Sequence, residues 1–260
     1  MQKSLFALKR DLVEVGRRVY DHGFVASNDG NISARVDNDR VLITPTGVSK
    51  GFMKPEEMVL VDMDGKVLSN TGKPSSEVFM HLRIYKDRPD VNSVCHAHPP
   101  YATGYAVAGL AMDKCVLPEV IIVLGEIPLV EYGTPGTEEF YTPVLKYLKD
   151  HDAFLLANHG ALTIGKDIYN AYFKMETLDH AAKIQFIAKQ LGHLNVLKSQ
   201  DVDKLMEIRK RAGIATSSPC LSCEEDGSCD ITTAWSGPEN QPDREQLVRQ
   251  VTEAVLRQLK

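Results

Sequence analysis

The sequence predicts an α/β fold in which a central sheet is covered by helices on both faces. Short segments with the apolar character of strands recur along the chain, and longer segments with helical spacing lie between them. The 260 residues include 43% hydrophobic side chains, which is enough to bury a substantial core. A chain of this size could form one large domain or one domain plus an appendage, and the composition near its C-terminus favours the appendage.

The first helix is predicted over residues 5–22, where apolar side chains recur on one face and Gly23 follows as a stop. Further helices are predicted in segments with helical spacing, and these are 75–89, 99–109, 137–151 and 168–192. Strands are predicted in shorter segments bounded by turn residues, and these are 31–36, 40–47, 58–68, 91–98 and 127–133. The strand order does not follow from periodicity.

The charge balance limits the class of partner. A net charge of −5 and an isoelectric point near 5.9 give no positive field for nucleic acid or for a membrane surface. A small anionic substrate fits this balance better than a polymer. The N-terminal segment lacks the continuous apolar core of a signal peptide, and no run approaches the roughly 20 apolar residues that span a bilayer. We therefore expect a cytosolic protein.

Histidines stand at the ends of two predicted strands. His96 and His98 are two residues apart in VCHAHPP, so their imidazoles point to the same side of the sheet. The apolar segment AFLLANHGALTIG carries His159, and Gly160 would let the backbone turn beside a ligand. Three histidines with one open coordination position are typical of catalytic zinc. The alternative, in which such histidines only form hydrogen bonds, is stronger for His96 and His98 alone than for the full set.

Three short polar segments are candidates for a phosphate cradle. SNDGNIS and TPTG are turns that present backbone amides and small polar side chains. GKPSSEV precedes a helix, where free amides and the helix dipole favour an anion. Each segment alone is usually only a turn or an N-cap, but together they predict these phosphate ligands: Gly30, Asn31, Thr46, Gly47, Ser75 and Ser76.

Glu77 adjoins the predicted cradle in sequence. A carboxylate at this place could stand near the metal as a general acid or base. It would move a proton while zinc stabilises the negative charge that develops on the substrate.

The segments GNIS, ITPTG, KPSSE, HAHPP and NHG occur in this order, and the chain thereby closely resembles the class II aldolase/epimerase family over about residues 5–212. The resemblance implies that His96, His98 and His159 bind zinc, that Glu77 is the catalytic carboxylate, and that the six residues of the cradle bind phosphate. It also implies a three-layer α/β/α domain with a mostly antiparallel central sheet. Family members typically form homotetramers with the site at a subunit interface.

The resemblance further implies a reversible retro-aldol reaction. The expected substrate is a ketose 1-phosphate such as L-fuculose 1-phosphate, which gives dihydroxyacetone phosphate and L-lactaldehyde in fucose or rhamnose metabolism. In this family zinc acts as the electron sink and the residue matching Glu77 handles the proton, so no Schiff-base lysine is needed. Another divalent metal in place of zinc is the alternative.

The resemblance is incomplete on the acceptor side, where fuculose-phosphate aldolases are expected to supply two tyrosines. Glu119 and Ala212 stand at those positions. Glu119 is interpreted either as a replacement proton donor or as the end of a strand. An activity like that of L-ribulose-5-phosphate 4-epimerase is the alternative, but its aspartate and tyrosine have no convincing match. A non-catalytic interaction module is disfavoured because the three histidines and Glu77 are all present.

The composition changes after about residue 212. Residues 213–242 are rich in Ser, Pro, Gly and acids and are predicted to form a flexible linker. Residues 243–260 carry an apolar stripe and are predicted to form an amphipathic helix. This arrangement resembles the peptides that carry enzymes into bacterial microcompartments, which predicts shell proteins as partners. The alternative is a helix for oligomerisation or packing.

The remaining cysteines and histidines are interpreted as structural. Five cysteines are an odd number, so reduced thiols are expected, with Cys95 and Cys115 in the core. A C-x2-C-x5-C pattern in the linker lacks an evident fourth ligand and is interpreted as unliganded; it consists of Cys220, Cys223 and Cys229. Five further histidines are interpreted as surface or capping residues, namely His22, His81, His151, His180 and His193.

Overall fold

A computed structural model describes residues 3–214 and 220–223. The amphipathic helix predicted at 243–260 and most of the linker predicted at 213–242 lie outside the described residues. The helices are α1 (Leu5–Asp21), α2 (Val78–Asp87), α3 (Pro100–Val107), α4 (Pro118–Val123), α5 (Glu138–Tyr141), α6 (Ile168–Leu191) and α7 (Ser199–Arg211). The strands are β1 (Asn31–Arg35), β2 (Arg40–Ile43), β3 (Val59–Asp62), β4 (Ser93–Ala97), β5 (Leu129–Val130), β6 (Ala153–Leu156) and β7 (Gly160–Gly165).

The strands form one sheet in the order β3-β2-β1-β4-β7-β6-β5. Five pairings are antiparallel, and the pairing of β5 with β6 is parallel. The sheet is therefore mixed, because one parallel pair lies at the β5 edge of strands that otherwise pair antiparallel. Parallel neighbours need a long crossover, and residues 131–152, which include α5, provide it.

Helices cover both faces of the sheet, as predicted. Side chains of β6 alternate between two apolar clusters, with Leu155 in one and Phe154 in the other. The first cluster contains buried residues of α1, α3 and α6, whereas the second contains those of α2 and α5. The three-layer α/β/α architecture is thus confirmed.

Three segments differ from the prediction. The helix predicted over 137–151 is divided into α5 and a 3₁₀ helix at Thr142–Lys146, because Pro143 has no N–H for an α-helical hydrogen bond. Pro118 begins α4, so Glu119 lies in the first turn of a helix and not at the end of a strand. The helix α7 was not predicted, since only Val202 and Arg209 of its residues are buried.

The prediction of reduced thiols is wrong for Cys115 and Cys220, which form a disulfide across 105 positions. Cys223 is disulfide-bonded as well, whereas Cys95 is a free buried thiol. The Leu221 amide donates to Asp113 O at 2.6 Å. Residues 220–223 are therefore bound to the domain, although they lie inside the predicted linker.

Within residues 3–214 and 220–223, no helix combines the length and the apolar character that crossing a membrane requires.

Candidate active site

The three histidines that are candidate metal ligands meet where two strands end. Strands β4 and β7 pair antiparallel, with His96 opposite Leu162. His98 follows the end of β4, and His159 lies in the turn between β6 and β7. Asn158 takes the left-handed conformation of this turn, with a φ of 56°, so the turn does not depend on the conformational freedom of Gly160.

Gly160 is needed for space instead. A Cβ atom at this position would lie 2.5 Å from His98 Cδ2 and 2.6 Å from Ala97 O. Gly30 combines both requirements, because its φ is 70° and a Cβ atom would lie 2.9 Å from His96 O. These two glycines let the backbone approach the histidines closely.

The three histidines direct the same ring nitrogen to one point. His96 Nε2 lies 3.3 Å from His98 Nε2 and 3.1 Å from His159 Nε2. The possible ligand atoms of the three residues all lie within 4.8 Å of one another. The predicted ligand set therefore comes together, and it has the composition of a catalytic zinc site.

The opposite ring nitrogens orient two of these imidazoles. His96 Nδ1 donates to Ala161 O at 2.9 Å, which leaves Nε2 without a proton and facing the site. His98 Nδ1 lies 3.6 Å from Asp29 Oδ2. Burial lowers the pKa of His96 to about 4 and also lowers the pKa of His98. Both rings are thus neutral at pH 7, which is the form that binds a metal.

Glu77 faces the histidines from the residue before α2. Its Oε2 atom lies 3.3 Å from His96 Nε2, and its Oε1 atom lies 3.2 Å from His159 Nε2. Asn31 Nδ2 donates to Glu77 Oε2 at 2.7 Å. Burial raises the pKa of the Glu77 carboxyl group, but the imidazoles of His96 and His159 and the Asn31 hydrogen bond together hold it below the ordinary value. Glu77 is therefore a carboxylate.

A cavity of about 190 Å³ adjoins the histidines. Five of the six predicted phosphate residues line it, and these are Gly30, Asn31, Thr46, Ser75 and Ser76. Gly47 follows Thr46 but does not line the cavity. Within the described residues, the structure thus brings five of the phosphate candidates and the three metal candidates to one cavity.

Lys50 also lines this cavity, and sequence reasoning did not find it. Its side chain is only 1% exposed, and its Nζ donates to Asn28 O at 3.0 Å and to Val48 O at 2.7 Å. A lysine ammonium has three N–H donors, so one remains for a ligand. Burial lowers the pKa of Lys50 to about 8. The sequence offered little indication of this role, since Lys50 lies outside the three polar segments from which the phosphate candidates were predicted.

His81 and His151 are buried, which corrects their interpretation as surface or capping residues. His81 Nε2 lies 2.5 Å from Asn31 Oδ1, so this histidine touches the site from behind. The spacing from Glu77 could have indicated this position, because residues four apart share one face of a helix and His81 follows Glu77 by four residues.

The acceptor-side candidates lie apart from this cavity. Glu119 is exposed on α4 and does not line the cavity, and Ala212 follows the last residue of α7. Arg209 of α7 donates to Ile122 O at 2.7 Å, which fixes α7 against α4. In this chain, therefore, Glu119 contributes nothing to the cavity lining.

Known proteins are similar to this chain in sequence and in fold. The L-fuculose phosphate aldolase of Methanococcus maripaludis is 36% identical over 181 residues, which cover 70% of this chain and 97% of that protein. The 3-oxo-tetronate 4-phosphate decarboxylase of Haemophilus influenzae is 33% identical over 184 residues, which cover 69% and 87%. A solved L-fuculose 1-phosphate aldolase superposes with a TM-score of 0.73 at 30% identity, covering 78% of this chain and 96% of that one.

The family described as Class II Aldolase and Adducin N-terminal domain matches residues 10–186. This range contains Glu77 and the three histidines that face it. The chain belongs to the class II aldolase family.

Proposed function

We propose that this protein is a zinc-dependent aldolase for a small ketose 1-phosphate. The first candidate substrate is L-fuculose 1-phosphate, which would give dihydroxyacetone phosphate and L-lactaldehyde. The observation that carries the proposal is the contact of the Glu77 carboxylate with His96 and His159 Nε2, at 3.3 and 3.2 Å, beside a cavity that contains Lys50.

The donor set fits zinc. His96, His98 and His159 offer three imidazole nitrogens, and two of these rings are oriented through Nδ1. When bound, the ion would polarise the substrate carbonyl and stabilise the negative charge that develops on its oxygen. The absence of cysteine ligands from this group favours a catalytic over a structural role.

The cavity fits the phosphate end of the substrate. Thr46, Ser75 and Ser76 supply hydroxyl groups, and the Lys50 ammonium supplies a positive charge. Because this cavity adjoins Glu77, a substrate held by its phosphate would bring its carbonyl end towards the carboxylate and the histidines. Binding energy from the phosphate would thereby orient the reacting carbon.

Glu77 moves the proton in either direction of the reaction. In condensation its carboxylate removes a proton from the hydroxymethyl carbon of dihydroxyacetone phosphate, that carbon bonds to the aldehyde carbon, and the aldehyde oxygen takes up a proton from water. In cleavage the same bond breaks, the hydroxyl proton passes to water, and Glu77 takes up a proton from water in the substrate complex and returns it to the carbon. The low pKa of Glu77 means that the carboxylate is ready in the free protein.

A phosphorylated 3-oxo acid is the second candidate substrate. Decarboxylation of 3-oxo-tetronate 4-phosphate releases CO₂, leaves the electron pair on the neighbouring carbon, and gives dihydroxyacetone phosphate after protonation. This reaction needs no proton acceptor for an aldehyde-forming hydroxyl. The positions expected to hold acceptor-side tyrosines carry Glu119 and Ala212, which do not line the cavity, and this favours the decarboxylase as the alternative.

The two reactions can be separated in one experiment. Dihydroxyacetone phosphate release is measured from L-fuculose 1-phosphate, L-rhamnulose 1-phosphate and 3-oxo-tetronate 4-phosphate, with and without a chelator. Epimerisation of L-ribulose 5-phosphate is followed in parallel. Chelator-sensitive release from a ketose 1-phosphate supports the aldolase, and release from the oxo acid alone selects the decarboxylase. Epimerisation without cleavage would sink both assignments.

We also propose that the chain forms a homotetramer and that residues 243–260 bind microcompartment shell proteins. The family resemblance supports the first proposal, and the apolar stripe of the sequence supports the second. Sedimentation of the intact protein measures the assembly. Truncation after Pro242 should abolish co-sedimentation with shell proteins while cleavage activity persists, and retained co-sedimentation would remove the shell proposal.

A further inference from the structure

A buried chain of polar side chains continues behind Glu77. Asn31 joins Glu77 to His81, with its Nδ2 atom 2.7 Å from Glu77 Oε2 and its Oδ1 atom 2.5 Å from His81 Nε2. On the other side of the ring, Ser33 Oγ lies 2.7 Å from His81 Nδ1. Ser33 Oγ also lies 2.7 Å from the Tyr85 hydroxyl group. All five residues are buried.

Two rigid elements hold this chain. Glu77, His81 and Tyr85 follow one another at intervals of four along α2 and the residue before it, so they share one helix face. Asn31 and Ser33 are two apart on β1 and share one face of the strand. The hydrogen bonds pass back and forth between these two faces, which leaves little freedom for any one side chain.

The Glu77 end sets the direction of every hydrogen bond. A carboxylate only accepts, so Asn31 must turn its Nδ2 towards Glu77 and its Oδ1 towards His81. An amide oxygen also only accepts, so His81 must carry its proton on Nε2. His81 Nδ1 then accepts from Ser33 Oγ, and Tyr85 donates to Ser33.

The other tautomer of His81 would disturb this arrangement. With the proton on Nδ1, the bare Nε2 would attract the Asn31 Nδ2 group and turn Oδ1 towards Glu77. Two acceptor oxygens would then face each other across the 2.7 Å that a hydrogen bond now spans. Burial keeps the ring neutral, because it lowers the pKa of His81 to about 3, so the ring holds a single proton.

We propose that His81 is a positioning residue, whose Nε2–H fixes the Asn31 amide and through it the orientation of the Glu77 carboxylate. This role rests on the proposed function only in that Glu77 transfers the proton. If His81 were purely structural, any buried group that forms hydrogen bonds could replace it without an effect on catalysis. If His81 positions Glu77, its replacement must carry a hydrogen-bond donor at the place of Nε2.

Two variants of similar polarity separate these roles. The amide nitrogen of glutamine reaches the place of Nε2, so His81→Gln keeps the donor to Asn31 Oδ1. The shorter His81→Asn keeps a group near Ser33 but loses the donor. In the metal-loaded protein we expect His81→Gln to retain a kcat close to that of the wild type. We expect His81→Asn to lower kcat by roughly 10²-fold, with a much smaller change in KM.

A Glu77→Ala background tests whether His81 acts through Glu77. There, His81→Asn should leave the residual kcat unchanged, because the group that it positions is absent. Metal content and melting temperature are measured for every variant, so that a folding defect is recognised. Equal loss of kcat in His81→Gln and His81→Asn, at equal melting temperatures, would overturn the proposal.

A measurement without turnover keeps the test independent of the proposed function. In metal-loaded protein with ¹⁵N-labelled histidine, NMR of the ring nitrogens reads the tautomer of His81 directly. A proton on Nε2 and a bare Nδ1 are required, and a proton on Nδ1 alone would overturn the proposal whichever substrate the protein uses. Failure of the proposed function would appear instead as a wild-type protein that releases dihydroxyacetone phosphate from none of the three substrates tested for it.

Discussion

His96 Nε2 and His159 Nε2 lie 3.1 Å apart, although 63 positions separate the two residues in the chain. Antiparallel pairing of β4 with β7 places one histidine within a strand and the other in the turn before its neighbour. His96 directs an unprotonated nitrogen to this place, because its Nδ1 donates to Ala161 O. The pair is therefore arranged to share a cation.

The first prediction concerns metal binding. His96→Ala removes one of three nitrogens that meet within 4.8 Å and should lower the bound zinc from about one ion per chain to near zero. Metal content after dialysis, measured by mass spectrometry, checks this. His180→Ala is the matched control, since His180 is exposed on α6 and should leave the metal content unchanged. Full metal content in His96→Ala would contradict the site.

The second prediction concerns proton transfer. Glu77→Gln keeps the shape of the side chain and removes the carboxylate, so kcat should fall by about 10²- to 10⁴-fold. Zinc content should persist, because the three histidines remain. The rate of dihydroxyacetone phosphate release and the metal content are measured on the same sample. A kcat near the wild-type value would exclude Glu77 as the acid–base group.

The third prediction concerns Lys50. Lys50→Met removes the cation that lines the cavity. Because a charge-assisted hydrogen bond contributes about 1.5–3 kcal/mol, the inhibition constant of inorganic phosphate should rise by at least roughly tenfold. Lys50→Arg is the control that keeps the charge. Equal inhibition of all three proteins would show that Lys50 does not bind the anion.

A pH dependence follows from the same lysine. The ammonium is charged below its pKa of about 8 and neutral above it, so kcat/KM for the phosphorylated substrate should fall as the pH rises through about 8. In Lys50→Arg this decline should move to higher pH, because guanidinium keeps its proton. A decline at the same pH in both proteins would assign it to another group.

The fourth prediction concerns the disulfide between Cys115 and Cys220. It closes a loop across 105 positions, so Cys220→Ser should lower the free energy of unfolding by about 2–5 kcal/mol under non-reducing conditions. Denaturant titration measures this difference. With a reductant present, the wild type and the variant should unfold at similar denaturant concentrations. A difference that persists in reductant would point to packing and not to the covalent bond.

The fifth prediction concerns stability at low pH. The pKa of His81 is about 3 in the folded protein and near 6.5 when the ring is exposed, so between these values the unfolded chain binds the extra proton. His81 should therefore destabilise the fold as the pH falls below about 6.5. His81→Gln should lose less stability than the wild type between pH 6.5 and 4.5. Identical slopes in denaturant titrations would contradict this.

The sequence determined the parts of the site that depend on local pattern. Strand alternation and turn residues were enough to place His96, His98 and His159 at strand ends, and the short polar segments before helices and strands indicated the candidate phosphate residues. Glu77 followed from its position next to Ser76. The structure places the three histidines, Glu77 and all of the candidate phosphate residues except Gly47 around one cavity. This placement could be predicted because each inference depends on residues within a few positions of one another.

The tertiary structure decided what depends on contacts between distant segments. The Lys50 ammonium reaches the cavity only because two loops, at Asn28 and Val48, supply carbonyl oxygens for it. The disulfide of Cys115 depends on a partner 105 positions away. The proton position on His81 depends on a chain of hydrogen bonds between a helix and a strand. Local periodicity reports which face of an element a residue occupies, but it does not report which side chains meet it there.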